Sequence, residues 1–102
     1  MIHVIATVEL VGGTRESFLE AFHENVSNVL AEDGCHEYGA AADIPTGISV
    51  QTPLRDHVVT VVEKWRDVEA LKAHLSAPHM VAYRERVKDF VKGVTLQVMQ
   101  PV

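Results

Sequence analysis

The sequence predicts an α+β fold, a ferredoxin-like βαββαβ unit with an antiparallel sheet and helices on one face. Three observations carry this. Segments rich in β-branched residues alternate with segments of helical periodicity. Gly12-Gly13, Gly34, Pro78 and Gly93 punctuate them at element boundaries. The resulting order is strand, helix, strand, strand, helix pair, strand, the order of a split βαβ unit.

Met1–Val11 reads as the first strand, closed by Gly12-Gly13. Thr14 is placed to cap a helix reaching about Ala31, with Glu16 in its first turn. Phe18, Phe22, Val26, Val29 and Leu30 fall on one face of it, and Gly34 is its stop. Cys35–Ala42 reads as a second strand, continued by Ile48–Gln51 after the turn at residues 43–47. His57–Trp65, sequence HVVTVVEKW, has strong β propensity and apolar residues on both faces.

Asp67 caps a short helix over Val68–Leu75. Pro78 disfavours helical geometry at Ala77, so a new helix starts there, runs to about Val91 and ends at Gly93. Val94–Met99 is the last strand. Helices on one side leave the other apolar sheet face to be buried, and a second copy of the chain is the simplest cover. A homodimer is therefore expected.

The 102 residues form a single domain, 1–102. Net charge is −5, nine Lys and Arg against fourteen acids without a basic cluster, which argues against nucleic acid as a partner. No apolar run is long enough to span a bilayer, and MIHVIATVEL lacks a basic n-region and a cleavage site, so no membrane is expected as a partner. The lone Cys35 fits a reducing, cytoplasmic location.

Val59, Val61, Glu63 and Trp65 share one strand face. Trp65 is either a core anchor or a wall for a planar aromatic ligand. Val68, Leu71 and Leu75 make the apolar stripe of the short helix, with His74 at its edge, ~60° from Leu71. Met80, Tyr83, Val87, Phe90 and Val91 form the next stripe, bordered by His79 and Arg84. A mostly apolar pocket with a few polar groups is the usual make-up of a small-molecule site. The plainer alternatives are that His79 caps its helix and that Arg84 is solvated.

Cys35 and His36 are adjacent in a strand and point to opposite faces, which weakens a thiol–imidazole pair and favours a buried structural cysteine. His74 and His79 lack metal-ligand spacing, and Pro78 divides them between two helices. They read as separate polar points on the rim of an apolar pocket floored by Trp65, and no metal site is expected.

Four stretches carry a resemblance: EDGCHEYGAAAD from Glu32, GISVQT from Gly47, VEKWRDVEALKAHLSAPHMVAY from Val62, and the closing LQVMQPV. They resemble the antibiotic biosynthesis monooxygenase superfamily, and within it the bacterial quinol monooxygenases. The resemblance covers essentially the whole chain. It implies a dimeric α+β barrel that oxidises a hydroquinone with O2 and uses no cofactor. Such a reaction asks for a base, a group that stabilises the anion, and a dry, flat pocket. His74 or His79 is the candidate base, Arg84 the candidate stabiliser of negative charge, and Trp65 and Tyr83 the candidate stacking surfaces, with Val61 and Leu71 also against the substrate.

Polyketide-modifying members carry Asn where Val61 stands and Tyr where Leu71 stands, so a large polyketide is a poorer fit. Haem-degrading members carry a haem-binding His near Arg84 and Trp where His74 stands, so haem is poorly supported. The H-x-x-x-P-H pattern of His74–His79 also resembles an isomerase of a phosphorylated autoinducer, which moves protons in a hydroxyketone. A non-catalytic dimer that binds a small aromatic molecule is the third reading.

Overall fold

A computed structural model describes residues 1–102. The elements are β1 (Ile2–Leu10), α1 (Arg15–Leu30), β2 (Cys35–Ala41), β3 (Val58–Trp65), α2 (Val68–Ser76), α3 (Pro78–Val87) and β4 (Val91–Met99). The four strands form one antiparallel sheet in the order β2-β3-β1-β4, as the βαββαβ reading requires.

Alternation sets the core. On β1, Ile2, Val4, Ala6, Val8 and Leu10 point under the helices and are buried. On β3 the buried set is Val59, Val61, Glu63 and Trp65, while Val58, Thr60, Val62 and Lys64 on the reverse face are only half-buried. Phe18, Phe22 and Val29 of α1 close the core from above, with the Phe22 ring stacked on Tyr38 at 5.2 Å.

Four expectations are corrected. Ile48–Gln51 is no strand. The edge strand β2 ends at Ala41, and local bonds wrap this segment instead: Gln51 N–H donates to the Ile48 carbonyl, and the Gln51 side chain donates to the Ile44 carbonyl. Helix α3 stops at Val87 rather than Val91, because Val91 is drawn into the sheet opposite Leu10; Gly93 lies inside β4, opposite Glu9. Thr14 precedes α1, but its hydroxyl donates to the Val11 carbonyl instead of capping the helix. The buried stripe of α2 is Ala70, Leu71 and His74, while Val68 and Leu75 are exposed. His74 therefore lies within the buried face rather than at its edge.

On β4 the residues facing the helix side are Val94, Leu96 and Val98, opposite Val8, Ala6 and Val4. All three are exposed, at 54%, 43% and 48%, because the helices do not extend over this edge of the sheet. No helix is long and apolar enough to cross a membrane.

Candidate active site

The site begins with two local decisions in the chain. The Asp67 carboxylate accepts the Ala70 N–H at 2.8 Å and starts α2. Pro78 then holds Ala77 in an extended conformation (φ −60°, ψ 140°), and α3 starts anew with the proline in its first turn. The bend folds residue 79 back toward residue 74.

The third part arrives from the turn between α1 and β2. Gly34 adopts φ +84°, a conformation that L side chains rarely adopt, and its carbonyl accepts the Arg66 N–H at 2.8 Å. A Cβ at Gly34 would lie 2.8 Å from the Ala70 Cβ, so the turn packs directly on α2. This puts Glu32 over both histidines. Its Oε2 lies 2.8 Å from His74 Nδ1 and 2.9 Å from His79 Nε2. An ionised carboxylate only accepts hydrogen bonds, so each of these nitrogens carries a hydrogen.

His74 is 2% exposed and lies against two aromatic rings, tilted on Trp65 at 4.6 Å and edge-on to Tyr38 at 5.6 Å between centroids. Burial pushes its pKa below the usual histidine value, and the hydrogen bond to Glu32 opposes that only in part. Its Nε2 bonds to nothing in the chain, yet no enclosed polar side-chain atom lacks a partner, so Nε2 opens to a cavity. A neutral imidazole with Nδ1–H fixed by a carboxylate and Nε2 free is a general base held in its working tautomer.

The cavity has a volume of about 410 Å³ and is lined by 16 residues, 12 of them hydrophobic. That size and lining suit a small, largely apolar molecule. Its polar members include His74, Glu63, Arg84 and Lys88. Arg84 donates to the Leu75 carbonyl at 2.7 Å, which pins the guanidinium at the end of α2. Burial pushes the Tyr38 and Tyr83 hydroxyls to higher pKa, so both stay neutral.

The structure brings His74, Arg84, Tyr83 and Val61 to this one cavity. It places three other residues elsewhere. Trp65 is not the cavity floor: it is wholly buried behind His74, and its indole N–H donates to Glu63 Oε1 at 2.8 Å. Leu71 is buried in the core and does not line the cavity. His79 faces a groove between α1 and α3, beside Asn25, Asn28 and Arg86. Nor are the two histidines separate points, because one oxygen of Glu32 joins them. Cys35 is half-buried rather than buried, and its thiol makes no hydrogen bond to His36. Its nearest polar partner is the Glu37 carbonyl at 3.9 Å, and burial with the charges of Glu32 and Glu63 holds its thiol up in pKa.

Two residues escaped sequence reasoning. Glu32 lies 42 residues from His74 and was legible only as part of a turn. Glu63 sits on the buried face of β3, and a carboxylate at an inward strand position was the available signal.

Residues 1–86 match the family described as antibiotic biosynthesis monooxygenase. The chain belongs to this family. It is 38% identical over 103 residues to the Escherichia coli protein known as probable quinol monooxygenase YgiN, covering 99% of this chain and 98% of that protein. Among solved structures it is similar to PA3566 from Pseudomonas aeruginosa (22% identity, TM-score 0.79, 99% of this chain and 93% of that one). It is similar as well to Rv0793 from Mycobacterium tuberculosis (22% identity, TM-score 0.78, 99% and 94%). Both likenesses concern the fold. Family and relative together support a monooxygenase-type function.

Proposed function

We propose that this protein oxidises a hydroquinone, or a similar small dihydroxy aromatic, with O2 and without a cofactor. The observation that carries this reading is His74 Nε2, free at the wall of an apolar cavity while Glu32 holds Nδ1. A neutral hydroquinone reacts slowly with triplet O2. Loss of a hydroxyl proton to Nε2 makes the ring electron-rich enough to pass an electron to O2. In full, the ring gives up two electrons and two protons, and O2 takes both as hydrogen peroxide. Where one oxygen atom stays on the ring, the other leaves as water. Arg84 stabilises the anion, Tyr83 and Val61 shape the wall, and the apolar lining strengthens each of these interactions by excluding water.

The working form in this proposal is a homodimer. The exposed row Val94, Leu96 and Val98 lies on an edge strand and runs directly into the cavity wall, since Val94 and Leu96 line it. A second copy covering that row removes apolar surface from water and closes the cavity.

The isomerase reading draws on Arg84 and Lys88, two cations at one cavity that could take a phosphate. Lys88 is paired with Glu85 at 2.6 Å, which leaves Arg84 as the one cation of the lining without a carboxylate partner, and the rest of the lining suits a flat apolar ring better than a phosphate. An oxygen electrode decides. Menadiol consumed with O2 faster than its own autoxidation supports oxidation. Turnover of a phosphorylated hydroxyketone with no O2 uptake supports the isomerase, and binding of quinol without turnover supports a binding module.

A further inference from the structure

We propose that Glu63 is a second catalytic residue of the cavity: it takes the proton from one hydroxyl of a dihydroxy-aromatic substrate while His74 takes the proton from the other. This deepens the hydroquinone reading and rests on it.

Glu63 stands on β3 between Val4 of β1 and Tyr38 of β2, and is 5% exposed. Oε1 accepts the Trp65 indole N–H at 2.8 Å. Oε2 bonds to nothing in the chain, and since no enclosed polar side-chain atom lacks a partner, this oxygen too opens to the cavity. Glu63 is the only carboxylate on the cavity wall. A buried indole is satisfied by any neutral acceptor, so holding it does not require a group as costly to bury as a carboxylate.

The surroundings keep the proton within reach of neutral pH. The titratable groups around Glu63 are Tyr38 and Cys35 from β2, Tyr83 from α3, His74 from α2 and the Glu32 carboxylate from the turn before β2; β1 offers only Val4 and Ala6. Burial first, and the Glu32 charge second, push its pKa to about 7, against the Trp65 hydrogen bond. A group poised there both accepts and returns a proton efficiently.

The balance needs such a group. Oxidation of a hydroquinone releases two electrons and two protons. The electrons pass to O2. One proton goes to His74 Nε2 and the other to the Glu63 carboxylate, and both return to the reduced oxygen as hydrogen peroxide, restoring the site.

The test is the pH profile of kcat/KM for menadiol oxidation by wild type, Glu63→Gln and Trp65→Phe. Gln keeps an acceptor for the indole and removes the proton carrier. Wild type is expected to lose activity on the acid side through two ionisations and Glu63→Gln through one. Its kcat at neutral pH should fall by about 10²-fold with KM little changed. Trp65→Phe, which strips a donor from the carboxylate, should move the acid limb to higher pH. Wild-type kcat and an unchanged acid limb in Glu63→Gln would overturn the proposal. Should that variant not fold, an acid limb in Trp65→Phe identical to wild type overturns it instead. A wild-type protein that consumes no O2 with menadiol refutes the underlying reading, whereas active wild type with an indifferent Glu63→Gln refutes the role of Glu63 alone.

Discussion

His74 Nδ1 and Glu32 Oε2 lie 2.8 Å apart across 42 residues of sequence, and this single bond decides which nitrogen of the histidine is free. The carboxylate fixes the ring's tautomer and angle, and Nε2 is left to face the cavity. The carboxylate–imidazole pair of a catalytic triad works by the same logic.

Glu32→Ala removes the acceptor for both imidazoles. We expect kcat for menadiol oxidation to fall by at least about tenfold with a smaller change in KM, because orientation rather than binding is lost. His79→Asn, which leaves the His74–Glu32 bond in place, should do less. Steady-state O2 uptake on the two variants checks the order, and a larger loss in His79→Asn would contradict it.

His74→Asn removes the base itself and should lower kcat by about 10²–10⁴-fold. In the wild type, the depressed pKa of His74 places its share of the acid limb below the ordinary histidine value of 6.5. In Glu63→Gln, where His74 alone remains to titrate, an acid limb at or above 6.5 would assign the base elsewhere.

Glu63 also leaves a mark on stability. Its pKa rises on folding from 4.5 to about 7. Below pH 4.5 the group is neutral in both states, and its contribution is fully present. As pH rises through the folded value, the unfolded chain is already ionised and the contribution is lost, a change of about 3 kcal/mol. Glu63→Gln should therefore match wild type in urea denaturation near pH 4 and exceed it near pH 8. Equal stability at both pH values would show that the carboxyl is not displaced.

Gly34→Ala combines a left-handed backbone with a Cβ 2.8 Å from Ala70. Destabilisation of about 2 kcal/mol is expected, measurable as a lower urea midpoint. Activity should fall beyond what unfolding explains, since the turn carries Glu32.

Val98→Asp puts a charge on the exposed row of β4 without touching the cavity. If a second copy covers this row, sedimentation should show the variant as a monomer where wild type sediments as a dimer. A monomeric wild type at micromolar concentration would remove the dimer from the proposal.

The sequence by itself determined the elements and their order. β-Branched runs marked β1 and β3, period-two alternation marked β4, Asp67 and Pro78 marked the start of α2 and the break before α3, and the run from Glu63 to Met80 marked the family. These are local signals, set by backbone geometry and side-chain direction over a few residues. Where two local tendencies compete, as at Phe90–Gly93, the outcome depended on the partner strand: Val91 joined the ladder opposite Leu10 instead of extending α3. Ile48–Gln51 has no partner strand and stayed outside the sheet. The site was decided almost wholly by tertiary structure. Nothing local says that Glu32 reaches His74 and His79 across 42 and 47 residues, that Trp65 backs the histidine rather than flooring the cavity, or that Glu63 keeps one oxygen free. Hydrogen-bond partners and burial are properties of the packed chain, and they set which proton-carrying groups the cavity holds.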